Sequence, residues 1–287
     1  MEIPMRGKFD LHLHTTASDG LLEPEEVVRK AAGTGLACIA ITDHDTTKGV
    51  ARAREEGIRL GFPVIAGAEF TAEHTGELHI LGYGMDMDTP AWRAFSAEQR
   101  KRRAERNARM LDRMGELGLV LPEEYRPQNI QGEYGRMHMA LGFVEAGYAG
   151  SVQQAFDRYL GIGAQVYVKR RKFTTAELIS AVKASGGCAV LAHPGRMGME
   201  RAEAEKLVFE LKRQGLEGIE AFYPLHKPEE SAYFRELAER AGLICTYGSD
   251  WHGYDESGLA RGFDGFDIPE STYMWLENQM AKAGGRG

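Results

Sequence analysis

Histidine and carboxylate side chains recur along this chain in short clusters whose types and spacing are those of a metal site. They are His12, His14 and Asp19 in DLHLHTTASDG, Asp43 and His44 in ITDHDT, Glu69 in GAEFT, His79 in LHILGYG, His193 in LAHPGR, and Asp250 with His252 in GSDWHG. His12 and His14 stand two apart in a strand-like run, so both imidazoles leave one face and can converge on one ion. Asp250 and His252 repeat that spacing after LICTYGS, and the turn-forming TTASDG brings Asp19 back over the end of the first strand. Any one of these histidines alone would read as a packed or surface residue. Imidazole and carboxylate without thiolate suit zinc, manganese or iron at a catalytic site rather than a structural Cys-type zinc.

The elements that must position these clusters follow a β–α rhythm. Runs such as FDLHLHT, LACIAIT and PVIAGAEF alternate with helix-like segments, and the alternation resumes after residue 165 with TTAELISAVKASGG, CAVLAHP, ERAEAEKLVFELKRQG and LEGIEAFYP. Each cluster is expected where a strand ends, on the rim where α/β barrels build their sites. Pro24, Glu25 and Glu26 mark a helix start near Glu23. Between the two β–α stretches, residues 91–163 read as a helical insertion covering the active site, with the barrel formed by 1–90 and 164–287. Within the insertion, Arg102, Arg106, Arg109 and Arg113 are expected to form a solvated face, opposite a packed stripe of Ala104, Ala108, Leu111 and Met114.

The net charge of −7 argues against a surface given over wholly to nucleic acid, but leaves room for local basic patches at Gln99 to Arg113 and Val168 to Phe173. No apolar run reaches the roughly 20 residues of a membrane span, and MEIPMRGKFD lacks the apolar core of a signal peptide. A cytoplasmic protein with no membrane association and no evident protein partner is expected. Cys38, Cys188 and Cys245 lie in apolar strand-like stretches and read as buried reduced thiols.

These motifs resemble those of the PHP (polymerase and histidinol phosphatase) domain, a family of metal-dependent phosphoesterases. His12-x-His14 with Asp19-Gly20, Thr42-Asp43-His44-Asp45, His193-Pro194 and Ser249-Asp250-x-His252 look like its four motifs, and Glu69 and His79 fall at positions the family uses. The resemblance implies a distorted (β/α)7 barrel with a small inserted helical subdomain. It also implies two or three divalent ions, Mn²⁺ foremost with Fe²⁺ or Zn²⁺ as alternatives. His12, His14, Glu69 and Asp250 would hold one; Glu69, His79 and His193 a second; Asp19, His44 and His252 a third. Hydrolysis by a metal-bound hydroxide follows from that implication. Asp43 and Asp45 would either orient the ligands or cap the following helix.

The insertion resembles that of the branch acting on nucleoside 3′,5′-bisphosphates, some of whose relatives trim RNA 5′ ends. That implies a nucleotide substrate, or short RNA. Arg136 and His138 in GRMHMALGFVEAG, Arg158 in AFDRYLGIG and Arg196 in AHPGR become candidates for holding phosphate. His226 in YPLHKPEE reads either as a proton donor to the leaving group, beside His193 and Asp43 in a catalytic set, or as a surface-turn histidine. Lys169 to Lys172 departs from the branch, where proline follows the valine. Histidinol phosphate hydrolysis and a non-catalytic binding module are the other function classes the motifs allow.

Overall fold

Short, almost wholly buried apolar runs such as Leu36–Ile41 form the strands of this chain in a computed structural model that describes residues 8–130, 134–253 and 270–284. The N-terminal segment 1–7 and residues 254–269, over part of which the family resemblance extends, lie outside the described residues. By compactness the chain divides into two units, Met1–Arg93 with Phe173–Gly287 and Ala94–Lys172.

The first unit is built on one seven-stranded sheet whose spatial order is its chain order. Its strands are β1 (Lys8–Leu13), β2 (Leu36–Ile41), β3 (Val64–Thr71), β4 (His79–Tyr83), β5 (Cys188–Leu191), β6 (Gly218–Phe222) and β7 (Ile244–Tyr247). Neighbouring strands are parallel except that β4 runs antiparallel to both β3 and β5. The sheet curls back on itself where the segment after β7 meets β1. The His14 N–H donates to the Trp251 carbonyl at 3.0 Å, and the Asp250 N–H to the His12 carbonyl at 2.9 Å. The result is the distorted (β/α)7 barrel that the motifs imply.

Helices α1 (Pro24–Ala32), α2 (Lys48–Leu60), α6 (Thr175–Ala184), α7 (Arg201–Gln214) and α8 (Pro228–Ala241) follow strands or lead into them, and α9 (Glu270–Gly284) ends the described chain. Local sequence explains their limits. Glu26 caps α1 through the Glu23 N–H, with Pro24 at the first helical position. Thr174 and Glu177 form the reciprocal cap of α6, and α2, α7 and α8 stop at the left-handed glycines Gly61, Gly215 and Gly242. Cys38, Cys188 and Cys245 are free and buried.

The antiparallel β4 corrects one expectation. His79 stands at the start of its strand rather than its end, opposite Thr71 at the end of β3. Reversal of β4 is what brings His79 to the rim occupied by the C-terminal ends of the parallel strands.

The second unit holds most of α3 (Pro90–Glu116), then α4 (Arg136–Glu145) and the single turn α5 (Val152–Ala155), which runs on into a π-helical turn at Phe156–Leu160. It is not helical throughout: two 3₁₀ turns, Glu123–Tyr125 and Pro127–Asn129, stand between α3 and α4. Met110, Met114, Met139, Phe143, Leu160 and Val166 centre its core. The expected faces of α3 are rotated. Arg102 and Arg106 are buried, whereas Ala104 and Ala108 are exposed. For Arg102 a partner far along the chain decides this: besides its bond to Glu98 one turn back at 2.7 Å, it donates to the Lys172 carbonyl at 3.0 Å. Among the described residues, no helix is long and apolar enough to cross a membrane.

Candidate metal centre

Glu69 is the hub of the barrel rim. Its fully buried carboxylate lies 2.6 Å from His79 Nδ1, 2.9 Å from His193 Nε2, 2.8 Å from His44 Nδ1 and 3.5 Å from His12 Nε2. On one side of this hub, His14 Nε2 lies 3.6 Å from Glu69 and 3.1 Å from Asp250 Oδ1, which is also 3.5 Å from His12 Nε2. Further out, Asp19 gathers His14 at 3.6 Å, His44 at 3.6 Å and His252 at 3.3 Å. The structure therefore brings together all nine residues named as ligand candidates. Among the described residues, four overlapping groups have spacings compatible with a cation: His12, His14, Glu69 and Asp250; His44, Glu69 and His79; His14, Asp19, His44 and His252; and His12, His193 and Glu220.

The donors fit divalent metal on their own chemistry. His12 Nε2, both ring nitrogens of His14, His44 Nδ1 and Glu69 Oε2 are buried without a hydrogen-bond partner. Such atoms are rare in a folded core unless something else satisfies them. The charges make the same demand. Burial opposes a charge on His44, but Glu69 and then Asp19 outweigh it and raise that imidazole to about 10. Burial and the neighbouring His44 push His14 down to about 3. The carboxylates Glu69, Asp250 and Asp19 are all held below the usual range against the cost of burial, chiefly by the imidazoles around them. Positive charge is required at this centre, as protons or as cations, and hard oxygen with imidazole nitrogen suits a divalent ion.

Two imidazoles have their orientation fixed from behind. His12 Nδ1 donates to Glu220 at 3.0 Å, which leaves Nε2 facing the hub, and His252 Nδ1 donates to the Asp250 carbonyl at 2.8 Å, which turns Nε2 toward Asp19. The backbone is bent to the same end. Asp45, His193 and Asp250 are non-glycine residues at positive φ (53°, 24° and 56°), at or beside ligand positions. Gly248 admits the close approach of β7 to β1: a Cβ there would lie 2.1 Å from His12 Cβ and 2.3 Å from Glu220 Oε1.

Asp43 does not face the hub. Its Oδ1 accepts from the Thr15 N–H at 2.7 Å and the Ser18 hydroxyl at 2.8 Å, and its Oδ2 from the Thr15 hydroxyl at 2.9 Å. It thereby shapes the turn that carries Asp19. His226 also stands apart, with Nε2 accepting from the Gly195 N–H at 3.0 Å and Nδ1 donating to the Ala221 carbonyl at 3.2 Å. Burial lowers its pKa, and through Gly195 the ring braces the turn that follows His193. Arg196 does reach the centre: its Nη1 is 3.2 Å from Asp250 Oδ2. Arg136, His138 and Arg158 belong to the second unit, where Arg136 and Arg158 donate to the Leu160 and Tyr148 carbonyls and His138 accepts from the Gly135 N–H.

Two residues of the centre escaped the sequence reading. Glu220, fully buried on β6, accepts from His12 Nδ1 and from the His193 N–H at 2.9 Å. Its signal was present: a lone acid in the apolar strand GIEAF has to be paired. Tyr223 donates to Asp250 Oδ2 at 3.1 Å, and burial followed by Asp250 raises its phenol so that it keeps the proton. A tyrosine after a strand carries no comparable signal.

A barrel with imidazoles and carboxylates converging on one rim has the donor set of a metal-dependent hydrolase. The chain belongs to the PHP domain family, whose profile matches residues 10–215. It is 36% identical over 249 residues to a 5′-3′ exoribonuclease of Salmonella typhimurium, covering 85% of each chain. It is 34% identical over 278 residues to a 3′,5′-nucleoside bisphosphate phosphatase of Chromobacterium violaceum, covering 94% of this chain and 95% of that one. Among solved structures it is similar to that of an amidohydrolase from Chromobacterium violaceum with bound sulfate and no metal, at a TM-score of 0.79 and 31% identity over 95% of this chain and 96% of the other.

Proposed function

We propose that this enzyme removes the 3′-phosphate from nucleoside 3′,5′-bisphosphates. The observation that carries its phosphoester chemistry is the Glu69 hub, one carboxylate within 3.5 Å of four imidazoles. The near full-length similarity to a 3′,5′-nucleoside bisphosphate phosphatase, insertion included, supports the substrate.

In this reading His12, His14, Glu69 and Asp250 would hold one divalent ion, Glu69, His79 and His193 a second, and Asp19, His44 and His252 a third. Manganese is favoured, with iron or zinc as alternatives. Bound ions of this kind acidify a coordinated water and neutralise phosphate oxygens. The chain's own side chains prepare the site. Glu220 keeps the His12 proton on Nδ1, so that Nε2 is free to ligate. Tyr223 and Arg196 both donate to Asp250 Oδ2 and leave Oδ1 toward His12 and His14. Arg196, partly exposed beside Asp250, would pair with phosphate through its planar fork. Arg136, His138 and Arg158 would serve as further phosphate contacts.

Trimming of RNA 5′ ends is the second reading, favoured by the 36% identity to an exoribonuclease. Phosphate release from adenosine 3′,5′-bisphosphate, AMP, histidinol phosphate and a short 5′-phosphorylated RNA, each with Mn²⁺, separates them. Preference for the bisphosphate supports the proposal. Preference for RNA or for histidinol phosphate overturns the substrate while keeping the chemistry.

A further inference from the structure

Strands β1 and β7 are the two edges of the sheet, and the segment after β7 joins them. Leu13 and Trp251 face each other there in a parallel bridge, flanked by the Asp250 N–H to the His12 carbonyl at 2.9 Å and the His14 N–H to the Trp251 carbonyl at 3.0 Å. Toward the start of β1 the two segments fall out of step, because Ser249 lies two residues before Trp251 but meets Asp10, three residues before Leu13. A backbone ladder does not continue in register across such an offset, and a side chain takes up the Ser249 N–H. That side chain is Asp10.

Asp10 is fully buried, and its Oδ1 accepts from the Ser249 N–H at 3.0 Å and from the His12 N–H at 3.1 Å. One oxygen therefore fixes the backbone of His12 and of the residue before Asp250. Asp250 has a φ of 56°, a conformation that a non-glycine residue keeps only where its surroundings hold it. Its own N–H is held by the His12 carbonyl and the preceding N–H by Asp10, and its Oδ1 comes to lie 3.5 Å from His12 Nε2 and 3.1 Å from His14 Nε2. Asp10 Oδ2 has no hydrogen-bond partner, so the grip on both segments rests on a single acceptor atom.

We propose that Asp10 is a positioning residue that sets the spacing of His12 and Asp250 for a divalent ion, on the reading above in which these two hold one ion with His14 and Glu69. Both groups it holds are neutral backbone amides, so it acts through the place of its oxygen and not through its charge. An asparagine oxygen accepts both N–H groups from the same position, whereas a glutamate keeps the charge but carries its oxygens one methylene further out. Partners that orient metal ligands from behind typically change metal affinity about 10–100-fold when they are lost.

The test is calorimetric titration of Mn²⁺ into the metal-stripped full chain, with the melting temperature of each variant measured in the absence of metal. Asp10→Asn should bind Mn²⁺ as the wild type does. Asp10→Glu should weaken at least one binding step about tenfold or more, and saturating Mn²⁺ should restore most of its turnover. Wild-type Mn²⁺ affinity in Asp10→Glu, even with a lower melting temperature, would make the contact merely structural and overturn the proposal. A tenfold loss in Asp10→Asn would assign the effect to charge and overturn it equally. If Asp10→Glu does not fold, Asp10→Ala takes its place, with the same loss supporting the role and wild-type affinity overturning it. A wild type that binds no Mn²⁺ would overturn the ion assignment and this role with it, whereas wild-type affinity in the variants overturns this role alone.

Discussion

Replacing Glu220 by glutamine tests whether a side chain that holds no substrate nevertheless sets the metal centre. The carboxylate has two acceptor oxygens and uses both, Oε1 for His12 Nδ1 at 3.0 Å and Oε2 for the His193 N–H at 2.9 Å. Glutamine has one acceptor oxygen, so its NH₂ must confront one of the two donors. A buried donor left unpaired costs about 1–3 kcal/mol. Both donors belong to metal-ligand residues, so the loss should fall on binding, where changes behind a ligand typically weaken affinity about 10–100-fold, or roughly 1.4–2.8 kcal/mol. Calorimetric titration of Mn²⁺ into metal-stripped Glu220→Gln measures it directly, with turnover at limiting and saturating Mn²⁺ as the second readout. The expected result is weaker binding and a turnover deficit that saturating metal largely restores. Wild-type affinity in a folded variant would refute the reasoning.

Gly248→Ala would place a methyl group 2.1 Å from His12 Cβ and should both lower activity and destabilise the fold by about 1–3 kcal/mol; a wild-type melt and rate would contradict the packing argument. His226→Gln can still accept from the Gly195 N–H, so most turnover and both limbs of the pH–rate profile should survive; loss of one limb would make His226 the proton donor. Glu56 accepts from Arg59 at 2.7 Å and from Arg29 at 2.9 Å, and these bonds, Arg59 first, hold its carboxyl down to about 2 from 4.5. A depressed folded pKa contributes stability that is present above pH 4.5 and lost as pH falls toward 2. Glu56→Gln should therefore flatten the acid limb of stability over that interval, and parallel curves for the two proteins would dismiss the interaction.

The nine ligand candidates were legible because each sits in a local pattern: a two-residue spacing on a strand, or a polar cluster ending an apolar run. The direction of β4 was not read, although only residues 72–78 separate it from β3, too short a link for the crossover a parallel strand needs. The buried face of α3 was misread because Arg102 is satisfied by Lys172, 70 residues away, and no helical periodicity reports such a partner. The burial of His226, which the sequence also allowed as a surface-turn histidine, has the same explanation, its Gly195 partner lying 31 residues earlier. Asp43 was found as a residue of the rim, but that it shapes the Asp19 turn depends on Thr15 and Ser18 folding back onto it.

The central claim is that the Glu69-centred cluster holds the divalent ions on which phosphoester hydrolysis depends. Titrating Mn²⁺ into metal-stripped protein, while following bound manganese per chain and phosphate release from adenosine 3′,5′-bisphosphate, tests it most directly. Activity should be absent without metal and rise with occupancy to two or three ions per chain, and Glu69→Ala should lose both the tight binding and the turnover. Full turnover in chelator, or wild-type binding and rate in Glu69→Ala, would contradict it.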